Sequence, residues 1–221
     1  IRARLSVYVI VISPIVLTLY SLFESVRTFS FSTIFIAILF AFSNYLFALQ
    51  RFFQKQQPVY KNIAAELLYK SDTRIDNCTK QRYYNKLSQI DKSFKIFKSP
   101  SDNDDFKNAC ASAITWLRNN TRDIKLVQEE NMLYGFYKNL ISFKIIGVIS
   151  TTIAVIILLL TAMPISTKDF LHTPTYVIPL LFDIFCLILW LLGTSKKICQ
   201  ILAEKYAYAL LGALDYITAK S

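Results

Sequence analysis

The chain has 221 residues, of which 54% are hydrophobic, and its formal net charge is +10. The mean hydropathy of +0.38 excludes an ordinary water-soluble domain, which could not bury so much apolar surface. Glycine occurs only at positions 135, 147, 193 and 212. This excludes the glycine-rich phosphate loops of P-loop and dinucleotide-binding enzymes.

Four apolar runs are long enough to cross a bilayer as helices. The runs 5–23, 28–50 and 145–167 contain no charged residue, and the run 175–193 contains only Asp183. The sequence therefore predicts an all-α membrane protein with four transmembrane helices. The predicted parts are a transmembrane hairpin (1–50), a basic cytoplasmic helical domain (51–144), a second hairpin (145–193) and a cytoplasmic C-terminal helix (194–221).

The first run is predicted to be a retained span rather than a cleaved signal peptide, since its apolar part is too long and no small-residue cleavage site follows. Because the chain begins with Ile, we expect further residues ahead of it. Basic residues near span ends face the cytoplasm. On the opposite side of the membrane, Arg27 and Lys168 are the only basic residues in the two predicted loops. This asymmetry predicts that both termini and the insert are cytoplasmic. The basic residues on the cytoplasmic side are Arg2, Arg4, Arg51, Lys55, Lys61, Lys138, Lys144, Lys196, Lys197 and Lys205.

The insert has the spacing of amphipathic helices. We expect span two to continue, with a break near Pro58, into a long cytoplasmic helix. The segment 98–105 predicts a turn, and the segment 119–123 predicts a break before a third helix that leads into span three. Apolar residues near heptad spacing form a seam, a pattern that packs on another helix. Two or three narrow apolar faces make a thin core, so we expect the seam to join subunits of a homo-oligomer, taken to be a tetramer. The seam residues are Tyr83, Leu87, Ile90, Phe94 and Phe97.

The insert is also basic, with 17 Lys and Arg against 10 Asp and Glu, a net charge of +7. Aromatic side chains alternate with these cations, which favours binding of a nucleotide or single-stranded oligonucleotide, because rings stack on bases and cations bind phosphates. Attraction to anionic lipid headgroups, about 1 kcal/mol for each cation, explains the same charge. Both interpretations remain open. The candidate ligand-binding residues are Lys80, Arg82, Tyr83, Tyr84, Lys86, Trp116, Arg118 and Arg122.

Residues for enzyme chemistry are sparse. The single histidine, His172, precedes Pro174 in a predicted loop, and no HExxH or GxSxG motif occurs. The four cysteines form no CxxC pair, and no carboxylates are spaced as an acid–base pair. The sequence therefore predicts a protein that is not an enzyme, with no metal site and no cofactor.

Asp183 lies near the centre of the fourth run, where a charge costs about 2.5–3.5 kcal/mol on insertion scales. No span contains a basic residue, so no partner for an intrachain ion pair lies at that depth. The remaining explanations are a hydroxyl partner, for which Ser13, Thr151 and Thr152 are candidates, or a water-filled passage.

At helical spacing, Pro179, Asp183, Cys186 and Trp190 share one face. If this face lines a symmetry axis, copies of Asp183 form a carboxylate ring, which favours cations. A neutral, hydrogen-bonded contact between helices and a proton relay are the alternatives. The candidate residues of the ion pathway are Asp183, Pro179, Trp190, Thr151 and Thr152.

The layout resembles the bacterial four-span effectors found beside SMODS-type nucleotidyltransferases in anti-phage systems, and more distantly the two-span SLATT proteins. The likeness lies in two spans, an insert that continues span two (LQRFFQKQQPVYKNIAAELLYK), two further spans and a helical tail (KKICQILAEKYAYALLGALDYI). It implies an oligomeric effector of the bacterial inner membrane that permeabilises this membrane. It also implies that the insert senses a nucleotide or oligonucleotide made by the partner nucleotidyltransferase.

The leading hypothesis from the sequence is thus a ligand-gated pore in the lipid bilayer. One alternative is a non-conducting anchor or scaffold that recruits a cytoplasmic partner through the insert. Another is a small proton-coupled transporter that uses Asp183.

Overall fold

The computed structural model describes residues 2–24, 62–163 and 173–217. This part of the chain forms helices joined by turns and contains no strand, so the predicted all-α class is confirmed for it. The predicted span 28–50 lies outside the described residues. The helices are α1 (Arg2–Leu22), α2 (Ile63–Glu66), α3 (Asn77–Ile90), α4 (Asp104–Asn120), α5 (Lys125–Ala162), α6 (Pro174–Ile188) and α7 (Lys196–Gly212). The shorter elements are two 3₁₀ helices, Lys92–Lys98 and Ala213–Asp215, and a π-helical turn, Leu189–Gly193, that follows α6.

The chain divides into two compact units. The first comprises residues 1–57 and 135–196, and we call it the apolar unit. The second comprises residues 58–134 and 197–221, and we call it the insert unit. Residues 197–212 of α7 thus fold with the insert, whereas the sequence predicted a separate C-terminal element.

Two helices are long and apolar enough to cross a membrane, namely Lys125–Ala162 and the continuous segment Pro174–Gly193. They contain most of the predicted third span and all of the fourth. The segment Ser6–Leu22 in α1, which corresponds to the predicted first span, forms a shorter apolar helix. By length and composition, the described residues therefore provide two candidate membrane spans.

The outside of the apolar unit is covered by aliphatic side chains. Ile145 and Ile178 are 66% and 63% exposed, and Leu192 is 77% exposed. Exposed aliphatic residues suit a bilayer, and the interior of this unit combines a hydrophobic cluster with buried polar groups, of the kind that join helices across their interfaces in membranes. The buried polar side chains of this unit are Thr18, Ser21, Asn139, Ser142, Ser150, Thr151, Asp183 and Thr194.

In the insert unit, α4 forms as the sequence predicts. The side chain of Asn103 accepts a hydrogen bond from the backbone N–H of Phe106 at 2.9 Å, which caps the helix N-terminus. The helix ends at Asn120 within the predicted break, and α5 begins at Lys125. Its apolar face is buried through Phe106, Cys110, Ala113, Ile114 and Leu117.

The long helix predicted to continue span two is interrupted in the structure. α2 spans only four residues, and the next helix begins at Asn77, where the side chain of Asp76 accepts from the N–H of Thr79 at 2.8 Å. Between these helices, Arg74 forms ion pairs with Asp72 at 2.6 Å, Glu66 at 3.6 Å and Glu204 at 3.5 Å. The loop is thus held by polar contacts that helical periodicity does not report.

The core of the insert unit includes residues of α7. Tyr206, Leu210 and Leu211 are buried in the same cluster as Leu87 of α3 and Leu117 of α4. The ring of Tyr206 stacks on that of Tyr134 with centroids 6.0 Å apart. The contribution of α7 makes this core larger than the thin core expected from the insert helices alone.

Candidate functional site

Asp183 is completely buried inside the apolar unit. Thr18 of α1 donates a hydrogen bond from its hydroxyl to Asp183 Oδ2 at 3.2 Å. The other carboxyl oxygen, Oδ1, has no hydrogen-bond partner among the described residues. A buried polar atom left unpaired costs about 1–3 kcal/mol, so Oδ1 is a point at which water, an ion or a further polar group would be stabilised.

The hydroxyl partner of Asp183 differs from the three that the sequence suggested. Ser13 bonds locally to the carbonyl of Ile10 at 3.3 Å. Thr151 is fully buried, but its hydroxyl has no partner in the described part of the chain, while Thr152 is half-buried. Thr18 can be identified as the partner only when the alignment of α1 along α6 is known. Helical periodicity within one sequence segment does not give this alignment.

The face predicted for α6 is the buried face of the structure. Pro179, Asp183, Cys186 and Trp190 recur at helical spacing, and all four are buried. Within the described residues, this face lies against the interior of the apolar unit. Whether copies of Asp183 also meet at a symmetry axis stays a prediction.

Trp190 fixes the register between α5 and α6. A Cβ atom added to Gly147 would lie 2.2 Å from Cε2 of the Trp190 ring, so the indole rests directly on the glycine backbone. Lys144 lies one turn earlier on α5 and donates to the carbonyls of Leu191 at 3.4 Å and Thr194 at 3.1 Å. The earlier residue of α5 thus contacts residues that follow Trp190 in the chain, which means that the two helices run antiparallel.

This register places unpaired polar atoms at successive levels of the apolar unit. With a rise of about 1.5 Å per residue, Thr151 lies about 6 Å beyond the level of Gly147, and Asp183 lies about 10 Å beyond the level of Trp190. Trp190 Nε1, Thr151 Oγ1 and Asp183 Oδ1 are buried and lack partners among the described residues. We call these three residues and Thr18 the polar column. Of the four, Asp183 is the ionisable residue, and ionisable side chains inside membrane segments commonly mark ion or proton pathways.

In the insert unit, three of the predicted ligand-binding residues are buried. Lys80 is 3% exposed and donates from Nζ to the backbone carbonyls of Tyr69 and Asp72. Tyr84 donates to the carbonyl of Leu68 at 2.6 Å, and burial raises the pKa of its hydroxyl to about 12. Tyr83 is also buried. Neither tyrosine ring is exposed for base stacking in this structure, because both belong to the hydrophobic core.

Arg82 and Lys86 both contact Asp215, which sequence reasoning did not single out. Arg82 Nη2 lies 3.2 Å from Asp215 Oδ2, and Lys86 Nζ lies 2.9 Å from Asp215 Oδ1. Lys86 also donates to the carbonyl of Leu214 at 3.2 Å. The two cations thus bind the end of the C-terminal segment, and a phosphate ligand would compete with Asp215 for them.

Trp116, Arg118 and Arg122 lie on or just after α4. Trp116 is half-buried, and both arginines are exposed. Arg118 donates to the side-chain oxygen of Asn62 at 3.2 Å, and Arg122 donates to that of Asn119 at 3.0 Å. These two arginines bond to neutral amides, so their charge remains available to an anion.

The predicted oligomer seam lies mostly inside the insert unit itself. Tyr83, Leu87, Phe94 and Phe97 are buried, and Ile90 is half-buried. Phe97 contacts the ring of Phe106 with centroids 5.3 Å apart. The protomer's own core therefore uses the face that the sequence assigned to a neighbouring subunit.

Within the described residues, no group of three or more His, Cys, Asp or Glu side chains is placed to hold a metal ion. No protein-family model, no curated protein and no solved structure matches the chain. The features of the molecule that bear on function are the polar column and the charges of the insert unit.

Proposed function

We propose that this chain is an oligomeric effector of the bacterial inner membrane in anti-phage defence. In this proposal it crosses the membrane four times, with both termini cytoplasmic, and acts as a pore or ion channel. A nucleotide or oligonucleotide made by a partner nucleotidyltransferase gates it through the insert unit. The resemblance to four-span effectors supports the biological setting, and the geometry of the apolar unit supports the pore.

The observation that carries the pore is the buried carboxylate of Asp183, which has one oxygen unpaired among the described residues. It lies in a helix long and apolar enough to cross a membrane. An ionisable side chain at such a depth is expensive, and in membrane proteins it marks an ion or proton pathway. Thr151 and Trp190 extend the polar column along the same interior.

Gating is proposed to act through the contact between Thr18 and Asp183. In the described arrangement, this bond at 3.2 Å holds the carboxylate inside the protomer, which we assign to the closed state. Opening breaks the bond and turns the carboxylate toward the ion path. The helix proposed to transmit ligand binding to the pore is α5, which runs without a break from Lys125 to Ala162 and supplies residues to both units. Ligand-driven repacking of the insert unit can therefore move a membrane helix directly.

The experiment is ion flux from liposomes that contain the purified full chain. With added oligonucleotide or nucleotide, we expect release of an entrapped dye or a potassium current. Liposomes that stay sealed under every ligand condition would contradict the pore.

A second candidate, a non-conducting membrane anchor, is favoured by one observation. Asp183 is fully occluded and bonded to Thr18, as expected for a clasp between helices. The anchor predicts that Asp183→Leu is tolerated in cells, whereas disruption of the insert core at Phe97 and Leu117 abolishes function. The pore predicts loss of function from either change.

A further inference from the structure

Three lysines in the insert unit are aligned by the local backbone geometry. Lys92, Lys95 and Lys98 lie in the 3₁₀ helix Lys92–Lys98, and all three are exposed. A 3₁₀ helix has three residues per turn, so side chains at positions i and i+3 eclipse one another. With a rise of about 2.0 Å per residue, the three lysine side chains leave the backbone along one line, at intervals of about 6 Å. An α-helix would spread them around its surface.

A different side of this helix is anchored in the core. Phe94 and Phe97 are buried, and the Phe97 ring packs on Tyr84 with centroids 5.9 Å apart. Asp91 caps the start by accepting from the N–H of Ser93 at 2.7 Å. The row of lysines, which we call the lysine ridge, is thus presented by a fixed backbone.

The ridge lysines form no ion pair with any described residue, whereas Arg74, Arg82, Lys86 and Lys107 of the insert unit each lie within 4.0 Å of a carboxylate. Carboxylates lie at each end of the ridge in the sequence. Asp91 precedes it, and Asp102 follows it while accepting from the backbone N–H groups of Lys70 and Ser71. A single row of positive charge with acidic ends fits a short linear polyanion better than a broad anionic surface.

The surroundings also argue against insertion into lipid. Among the described residues 62–125, which include the ridge, no large hydrophobic side chain is exposed, and the exposed ones of the insert unit lie further along the chain, at Leu126, Met132, Leu133, Ile201, Tyr208 and Tyr216. Segments that bind the membrane interface combine cations with exposed aromatic or aliphatic residues. The ridge has the cations alone, so its binding energy would come from phosphates rather than from bases or acyl chains.

We propose that the lysine ridge binds the phosphate backbone of a short single-stranded oligonucleotide, independently of its sequence. The inference rests on the proposed function for the nature of the signal, and it moves the site from the residues around Tyr83 and Tyr84 to Lys92, Lys95 and Lys98. Three neutralised phosphates predict a strong dependence of binding on salt, because each contributes about 0.7 to the logarithmic slope for a single strand.

The test measures fluorescence anisotropy of a labelled oligothymidylate with the full chain in neutral detergent. The variant K92Q/K95Q/K98Q is expected to weaken binding at least about tenfold and to reduce the salt slope by about 2. The matched control K70Q/K125Q/K205Q removes the same charge from exposed lysines elsewhere in the insert unit, and its affinity should change less than about twofold. The variant K92R/K95R/K98R should retain binding.

Equal weakening by the two glutamine variants would overturn the proposal, because only net charge would then matter. Wild-type affinity in K92Q/K95Q/K98Q, or no binding by the wild type, would overturn it as well. Competition separates the sources of phosphate. Tripolyphosphate should displace the oligonucleotide, and displacement only by phosphatidylglycerol vesicles would show that the ridge faces lipid. Since binding in detergent requires no conduction, a protein that binds but never conducts would refute the pore and leave the ridge intact.

Discussion

Replacing Gly147 by Ala tests the register of the apolar unit. The added Cβ would lie 2.2 Å from Cε2 and 2.5 Å from Cδ2 of the Trp190 ring, whereas ordinary contacts begin at 3.4 Å. The ring or the helix must therefore move by at least 1.2 Å, the difference between 3.4 and 2.2 Å. Trp190 is 2% exposed, and its carbonyl accepts from Thr194 Oγ1 at 2.5 Å, so the ring has little room to yield.

The net cost follows from two opposing effects. Overpacking of a filled interior costs about 1–3 kcal/mol, and the depth of this clash places it at the upper end. Alanine in place of glycine returns about 1 kcal/mol of helix propensity. We therefore expect Gly147→Ala to destabilise the protein by about 2 kcal/mol, which lowers Tm by about 4–8 °C for a chain of this size.

The assay is thermal unfolding of the full chain in detergent, followed by circular dichroism. Gly212→Ala is the matched control, because that glycine has φ −60° and no atom within 4 Å of an added Cβ. It should keep or raise Tm. In the Gly147→Ala background, Trp190→Leu should restore part of the loss, since the smaller side chain leaves space for the methyl group. A Gly147→Ala protein as stable as Gly212→Ala would refute the packing of the Trp190 ring on Gly147.

Three further predictions concern gating, accessibility and pH. Thr18→Val should raise basal flux about threefold to twentyfold, because hydrogen bonds between membrane helices contribute about 0.6–1.7 kcal/mol. The control Thr161→Val loses only a local bond to the carbonyl of Ile157 and should leave flux unchanged. Equal effects of the two variants would contradict a closed state held by the bond between Thr18 and Asp183. A maleimide should label the native protein only at Cys78 among the four thiols, because the other three are buried, and burial raises the pKa of the Cys110 thiol to about 12. Mass spectrometry that finds more than one label on the folded chain would contradict the fold. Burial raises the pKa of Asp72, but hydrogen bonds and charge from Arg74 outweigh burial and hold this pKa below its usual value. The carboxylate therefore stabilises the insert unit above the unfolded pKa, and this contribution is lost as pH falls below about 4. In urea titrations, the free energy of unfolding of Asp72→Asn should fall less steeply at acid pH than that of the wild type, and identical pH dependence would refute the role of the Asp72–Arg74 pair.

The sequence predicts those elements that are set by local periodicity. The apolar face of α4 and its end at Asn120 follow from the 3.6-residue spacing of buried residues and from the polar segment after Leu117. The shared face of Pro179, Asp183, Cys186 and Trp190 follows from the same geometry. In each case the information lies within one helix.

Contacts between helices could not be predicted in the same way. The α1 hydroxyl that bonds to Asp183 depends on how two apolar helices are aligned, and nothing in either run distinguishes Thr18 from Ser13. Likewise, α7 completes the insert core and Asp215 binds Arg82, although these residues are distant in the chain. The seam at Tyr83 and Phe97 has the spacing of a helix partner, and the structure supplies that partner from within the protomer.

Whether Asp183 faces the ion path when the pore is open is decided by the reversal potential of the reconstituted full chain in a potassium chloride gradient. Asn at position 183 preserves an acceptor for the Thr18 hydroxyl but removes the charge. We predict a cation-selective current in the wild type and a reversal potential that moves toward zero in Asp183→Asn, at similar protein density. An unchanged reversal potential in this variant, with the current intact, would show that Asp183 does not line the ion path.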